Sequence, residues 1–388
     1  MSGVDFLNKL LDGTSVEWKP LGEVTSIKTG QSVNKQMISA NPGEYPVINS
    51  GRDPLGFIDD WNTDNDPIGI TSRGAGVGSV TWQPGKYFRG NLNYSVTIKN
   101  VQLVSTRYLY HLLLEMQPEI QSLCTYDGIP ALNAGNLKEL QVPIPCPDNP
   151  KKSLEIQAKI VRILDAFTEL TTELSTELST ELTIRKKQYN HYRDQLLSFE
   201  DGEVEWKTLG ELAENLDAKR KPITSGLRES GGIPYYGASG IVDYVKDYIF
   251  DGDYLLVSED GANLLARNTP IAFSISGKTW VNNHAHVLKF ETYHERRFIE
   301  FYLNNIDLTP YISGAAQPKL NKKNLESISI PNPSPEEKKH IVAILDKFDA
   351  LTNSITEGLP REIELRKKQY EHYRNLLLSF SKVDEVEA

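Results

Sequence analysis

The sequence predicts an α+β protein: two mixed, strand-rich domains separated by two long helices that form an antiparallel coiled coil, with internal, circular pseudo-two-fold symmetry. Three observations predict it. Ile160-Val161-Arg162-Ile163-Leu164-Asp165 returns as Ile341-Val342-Ala343-Ile344-Leu345-Asp346, and Arg185-Lys186-Lys187-Gln188-Tyr189 returns as Arg366-Lys367-Lys368-Gln369-Tyr370, each 181 residues on (160 to 341, 185 to 366). Val16-Glu17-Trp18-Lys19 returns as Val204-Glu205-Trp206-Lys207 at another spacing, 188 (16 to 204). The stretches between, roughly 20–135 and 208–315, are unlike each other. Two copies of one unit therefore share their scaffold and differ in what lies between.

The elements follow in order. Residues 1–12 form a helix stub, because Leu10-Leu11-Asp12-Gly13 echoes Leu196-Leu197 and Asp201-Gly202. Residues 13–150 make the first mixed domain and 201–335 the second. Turn signals (Gly51-Arg52-Asp53-Pro54, Gly85-Lys86, Asp251-Gly252-Asp253) separate strand-like runs such as Ile68-Gly69-Ile70 and Tyr254-Leu255-Leu256-Val257. Each domain ends alike, from Leu132-Asn133 to Val142-Pro143-Ile144-Pro145 and from Leu320-Asn321 to Ile330-Pro331-Asn332-Pro333.

Residues 151–200 and 336–388 read as the two repeated helices. In the first, Ile160, Ile163, Phe167, Leu170 and Leu174 stand three and four apart, the spacing of a coiled-coil seam. Fours then follow through Leu174, Leu178 and Leu182, because Thr-Glu-Leu recurs in tandem. Extra fours in a heptad seam are stutters. Glu169, Glu173, Glu177 and Glu181 repel one another at i, i+4, so the helix needs a partner along its leucines. Leu351, Ile355, Leu359 and Ile363 supply one, matching Leu170, Leu174, Leu178 and Leu182 at the 181 spacing. Gly358 and Pro360 should break that second helix.

Bulk properties narrow the function. The chain has 388 residues, two cysteines and a net charge of −10. It has no apolar run near the ~20 residues that cross a bilayer and no signal-peptide start, so a cytoplasmic protein without a membrane is expected. Free-standing nucleic-acid binders are usually basic, so DNA contact requires local patches or a partner's charges. Catalytic and cofactor motifs fail on inspection. Arg73-Gly74-Ala75-Gly76-Val77-Gly78 has Ser79 where a dinucleotide loop needs glycine, and Ser276-Gly277-Lys278-Thr279 has Ala272 where a P-loop needs one. His284 and His286 lack a third metal ligand nearby; one buried and one exposed strand histidine is expected. No cofactor, metal or catalytic residue is expected in the chain.

The duplicated helix text, the tandem Thr-Glu-Leu repeats and the Val-Glu-Trp-Lys-x-Leu-Gly-Glu opening of each unit resemble the DNA-specificity subunit of type I restriction–modification systems, most of all the type IC branch. The resemblance covers the whole chain and implies the following. Each variable domain is a target-recognition domain reading half of a split, asymmetric double-stranded DNA site. The coiled coil holds the two readers apart. Two modification subunits methylate adenine with S-adenosylmethionine, and two restriction subunits add translocation and cleavage with ATP and Mg. The chain itself does no chemistry, and its partners supply the phosphate contacts that its acidity denies it.

Polar residues of the readers are then the candidates for DNA contact, since Asn pairs with adenine and Arg with guanine. They are Arg52, Arg73, Arg89, Asn91 and Asn93 in the first reader, and Arg267, Lys278, Asn282, Asn283 and His284 in the second. The leucine stripe (Leu170, Leu174, Leu178, Leu182 against Leu351, Ile355, Leu359, Ile363) is the expected spacer ruler. Four residues lengthen a helix by ~6 Å and turn it by about 40°, close to the ~35° of one base pair. Two rival classes stay open: a coiled-coil scaffold carrying two ligand domains, which would bind no duplex with any partner, and an enzyme with an unfamiliar site, which would act alone.

Overall fold

A computed structural model describes residues 11, 13–51, 53–200, 202–314, 317–353 and 357–380. Within it the chain forms two compact units. One comprises residues up to Thr176 together with those from Glu364 on; the other is Glu177–Ile363. Five helices of ten or more residues occur among the described residues: α1 Thr106–Glu115, α2 Pro150–Leu196, α3 Tyr293–Asn305, α4 Pro335–Asn353 and α5 Leu359–Leu378.

The first reader has three sheets that matter for function. Strand β1 (Val16–Pro20) pairs antiparallel with β12 (Gln141–Pro145), joining the Val-Glu-Trp-Lys text to the proline-rich exit, with Trp18 opposite Pro143. One four-stranded sheet runs β2-β9-β6-β7 (Thr25–Thr29, Asn93–Ile98, Ile68–Thr71, Val80–Trp82). A second runs β4-β3-β8-β5 (Phe57–Ile58, Pro42–Ile48, Lys86–Arg89, Thr63–Asp64), with β3 and β8 parallel. The short β10 (Cys124–Thr125) and β11 (Ala131–Leu132) form a hairpin.

The second reader repeats the two-stranded pair and both four-stranded sheets in the same order. Here β13 (Glu205–Thr208) pairs with β22 (Ser329–Asn332), with Trp206 opposite Pro331. The sheets run β14-β21-β18-β19 (Glu214–Asn215, Ala285–Lys289, Tyr254–Ser258, Ala272–Ile275) and β16-β15-β20-β17 (Gly240–Val245, Ser230–Gly237, Lys278–Val281, Phe250–Asp251). Again β15 and β20 are parallel. Two sequences that look unrelated thus specify one topology. Buried apolar strands such as Ile68–Thr71 and Leu255–Ser258 do the same work with different residues.

In each reader an arginine of the domain's helix meets a repeated aspartate of the long helices. Arg107 of α1 meets Asp165 of α2 at 2.8 Å, joined there by His111 at 2.7 Å. Arg297 of α3 meets Asp346 of α4 at 2.8 Å. Asp165 and Asp346 are the repeated aspartates at the 181 spacing. The helices meet each other by a repeated contact as well. In the first unit Phe167 stacks on Tyr373 at 4.8 Å, and Thr168 bonds the Tyr370 hydroxyl at 3.1 Å. In the second unit the equivalent rings, Phe348 and Tyr192, stack at 5.5 Å.

The leucine stripe needs one correction. Along α2 the half-buried positions include Phe167, Thr171, Leu174, Leu178, Leu182, Arg185 and Tyr189, which follow heptad spacing with a single extra four. Leu170 is 51% exposed. From Phe167 the seam steps four residues to Thr171, whose direction is about 100° from that of Leu170. Leu174, Leu178 and Leu182 are half-buried, as are Leu351, Leu359 and Ile363; Ile355 lies outside the described residues, as does the helix stub except Leu11. Thr168, Thr172 and Thr176 donate to the carbonyls four residues back (2.7, 2.7 and 2.8 Å), which satisfies hydroxyls on a poor helix former. The second helix ends at Asn353 and resumes at Leu359, and Gly358 has a φ of +82°, open to glycine and strained for other residues.

Candidate nucleic-acid interface

In each reader three loop segments are stitched together at one end of the β6- or β18-containing sheet. In the first, the Ser72 amide donates to Leu92 O (2.9 Å), the Leu132 amide to Ser72 O (2.8 Å) and the Gly74 amide to Pro130 O (2.9 Å). In the second, the Glu259 amide donates to His284 O (2.9 Å), the Leu320 amide to Glu259 O (2.8 Å) and the Gly261 amide to Pro318 O (3.2 Å). These bonds align the two clusters residue by residue. Ser72 corresponds to Glu259, Arg73 to Asp260, Leu92 to His284 and Ala131 to Lys319. Asn133 and Asn321 follow, each capping the next short helix through its side chain.

The first cluster presents Arg73 and Asn91, both exposed. Gly74 (φ +97°) lets the chain turn directly after Arg73. The hairpin beside it exposes Tyr126 (60%) and Ile129 (71%). Arg89 and Asn93 are not surface groups. Arg89 is 3% exposed, and its guanidinium donates to the carbonyls of Asp66 (2.6 Å), Ile68 (3.2 Å) and Tyr94 (3.1 Å), to Asn93 Oδ1 (2.7 Å) and to the Tyr87 hydroxyl. It clamps strand ends together beneath the loops, and burial lowers its pKa. Arg52 lies outside the described residues.

The second cluster presents Asn283, His284 and Lys319, all exposed. His284 Nδ1 lies 2.9 Å from Asp260, and Lys319 Nζ lies 3.1 Å from Glu259. Asn282 is buried, and its Oδ1 accepts the His284 amide (2.8 Å), shaping the turn. His286, fully buried, spans from Asp217 (2.5 Å) to Leu320 O (2.7 Å). Arg267 is elsewhere: in a left-handed conformation (φ +49°), it donates to Asn304 O (3.2 Å) and Ile306 O (2.7 Å) at the end of α3. Lys278 begins β20, at the far end of that strand from Asn282 and Asn283.

Asp217, Glu259 and His286 come close enough together to resemble a metal site. Arg220 already occupies it, 3.2 Å from Asp217 and 2.6 Å from Glu259, and Lys319 holds the other Glu259 oxygen. Burial works to raise both carboxyls. For Asp217 the His286 contact, the Val287 amide and Arg220 outweigh it; for Glu259 Arg220, Lys319 and His286 do, and both end below their ordinary range. A cation would have to displace two fixed positive groups, so this cluster is a structural support for the loops.

Sequence reasoning missed Lys319, Asp260, Tyr126 and Ile129. Lys319 and Asp260 become visible only when the two readers are aligned, for which the shared Leu-Asn pairs 132–133 and 320–321 give the register.

Two copies of one loop frame, carrying different exposed side chains on one topology, define a protein that presents two distinct polar surfaces. The model for the family described as type I restriction modification DNA specificity domain matches residues 15–183 and 202–365, and the chain belongs to that family. It is 35% identical to the specificity subunit of the type I restriction enzyme EcoR124I/EcoR124II of Escherichia coli, over 100% of each chain. It is 35% identical to the EcoprrI specificity subunit of the same species, over 92% of this chain and 93% of that one. Its fold resembles the crystal structure of a type I restriction–modification S subunit from M. genitalium (TM-score 0.57, 19% identity, 96% of this chain and 98% of that one). It also resembles a chain from a structure of type I R-M complex assembly and conformational transition (TM-score 0.58, 14% identity, 94% and 98%). No helix among the described residues is long and apolar enough to cross a membrane.

Proposed function

We propose that this chain is the non-catalytic, DNA-reading subunit of a type I restriction–modification complex. Each reader contacts one half of a bipartite site through its stitched loop cluster: Arg73, Asn91 and the Tyr126–Ile129 hairpin in the first, Asn283, His284 and Lys319 in the second. Arg donates to guanine and Asn pairs with adenine in the major groove, while Tyr and Ile suit a thymine methyl. The observation that carries this reading is the identical frame with different exposed residues, which is what two unlike half-sites require.

The repeated helices form an antiparallel coiled coil that sets the spacer and docks two modification subunits. Two restriction subunits complete the complex in the cytoplasm. S-adenosylmethionine, ATP and Mg act in those partners, which also supply phosphate contacts to an acidic chain. Domain limits follow the repeats: readers over 13–150 and 201–335, helices over 151–200 and 336–388.

Mapping methylated adenines in cells expressing the chain with its modification subunit tests the proposal. One split motif with a fixed spacer is expected. Scattered methylation without a motif, or a purified complex that binds no duplex, would overturn it.

A further inference from the structure

Divergent as they are, the two readers share one surface feature away from the loop clusters. The first contains Asp60-Trp61-Asn62-Thr63-Asp64 and the second Asp247-Tyr248-Ile249-Phe250-Asp251. In both, the aromatic residue stands two positions before the edge strand, β5 or β17. In both, a lysine lies over its ring: Lys86 Nζ is 4.3 Å from the Trp61 centroid, and Lys278 Nζ is 4.7 Å from that of Tyr248. In both, the lysine faces the second aspartate across the strand pair, Asp64 opposite Lys86 and Asp251 opposite Lys278. A left-handed glycine precedes each lysine, Gly85 (φ +69°) and Gly277 (φ +77°). All eight side-chain-bearing residues of the two platforms are exposed, with Trp61 at 41% and Tyr248 at 45%.

From these platforms we infer a docking surface used twice by one partner: the modification subunit, gripping each reader through a basic face. A feature common to both readers cannot distinguish two different half-sites, so it meets something present at both. Position excludes base reading, because Lys86 and Lys278 start strands whose other ends carry the loops, roughly 13 Å along four residues. Charge argues against the phosphate backbone, because each lysine is outnumbered by two exposed aspartates. A cationic side chain stacked on the exposed ring and paired with the aspartates would match the excess of negative charge at each platform. The inference rests on the proposed function and adds a partner contact on the readers to the one on the helices.

The test is made on the complex of full chain and modification subunit. The first platform is altered by Asp60→Lys with Asp64→Lys, the second by Asp247→Lys with Asp251→Lys, and subunit stoichiometry is followed by native mass spectrometry on dilution. Each single-platform variant should release one modification subunit at about tenfold higher concentration than the unaltered complex. The four-fold variant should release both, and the milder Asp60→Asn with Asp64→Asn, checked for an unchanged melting curve, should give a smaller shift of the same sign. Unchanged assembly with weakened duplex binding would assign the platforms to DNA and overturn the inference. Unchanged assembly and DNA binding would reduce them to local hairpin structure, also overturning it. An unaltered chain that takes up no modification subunit would instead refute the proposed function.

Discussion

The two readers share one strand order and one loop frame, yet differ in the buried groups that support that frame. Leu132 O in the first reader accepts from the Tyr94 hydroxyl at 3.1 Å; its equivalent, Leu320 O, is met by His286 at 2.7 Å. Tyr94 lies opposite Thr29 in its sheet, whereas His286 has Asp217 beside it. One reader secures its loop with a neutral phenol and the other with a charged network of Asp217, His286, Arg220 and Glu259. Above these supports Arg73 stands where Asp260 does, a reversal of charge at one position of one frame. The frame fixes where a side chain is offered, and the exposed residue decides what it offers.

Deletion of Leu174-Ser175-Thr176-Glu177 is the most drastic way to test that division of roles. It touches neither loop cluster, so both half-sites should survive while the spacer between them shortens, by the ~40° and ~6 Å of four helical residues. Methylation mapping reads the outcome, and an unchanged spacer would contradict the ruler. Next, Arg89→Ala should destabilise the first reader by about 3–5 kcal/mol, because it removes the shared donor of three strand-end carbonyls and of Asn93. Urea unfolding measures it, and a loss below about 1 kcal/mol would show that Arg89 is no clamp.

The second reader's network should show itself through pH. Asp217 and Glu259 are held below their ordinary carboxyl values, so their contribution is complete above the unfolded carboxyl range of about 4–4.5 and is lost as pH falls through the lower folded values. Asp217→Asn should cost about 1–3 kcal/mol at neutral pH and flatten the acid limb of the stability profile. An acid limb as steep as before would remove Asp217 from the network's titration. In the complex, Arg73→Ala should relax the first half-site at one position by about 1–3 kcal/mol, leaving the second half-site intact; loss at both would mean a general effect on folding or charge. Smallest of all, Leu170→Ala should change the melting behaviour by no more than about 0.5 kcal/mol, and a larger loss would return Leu170 to the seam.

Much of the architecture was legible because repetition is independent of packing. The 181 and 188 spacings delimit two helices and two readers without any knowledge of strands. The candidate contact residues were harder, since a polar type says nothing of depth. Arg73, Asn91, Asn283 and His284 do reach the surface of the clusters, whereas Arg89 and Asn282 are turned inward to bond backbone groups, Asn93 is turned inward to accept from Arg89, and Arg267 closes the end of a helix. Glycine contacts carry that information only in three dimensions. A Cβ on Gly69 would lie 2.5 Å from Asn93 Oδ1, so the strand leaves Asn93 an inward pocket that no linear pattern announces. The seam at Leu170 failed for a related reason: a half-buried threonine, Thr171, takes the seam position where an apolar pattern points to leucine.

The hydrophobic core of the first unit includes Leu377, Leu378 and Phe380 beside residues as early as Leu11 and Leu21. The corresponding Leu197 belongs to the second unit's core, which draws on a single stretch from there to Leu345, with Tyr189, Leu196 and Phe199 packed against it. During synthesis the ribosome therefore releases every apolar partner of the later-encoded half before it finishes those of the earlier one. At about 5–20 residues per second, the amino-terminal half waits on the order of ten seconds with its interior unsealed, until the last helix arrives to close it.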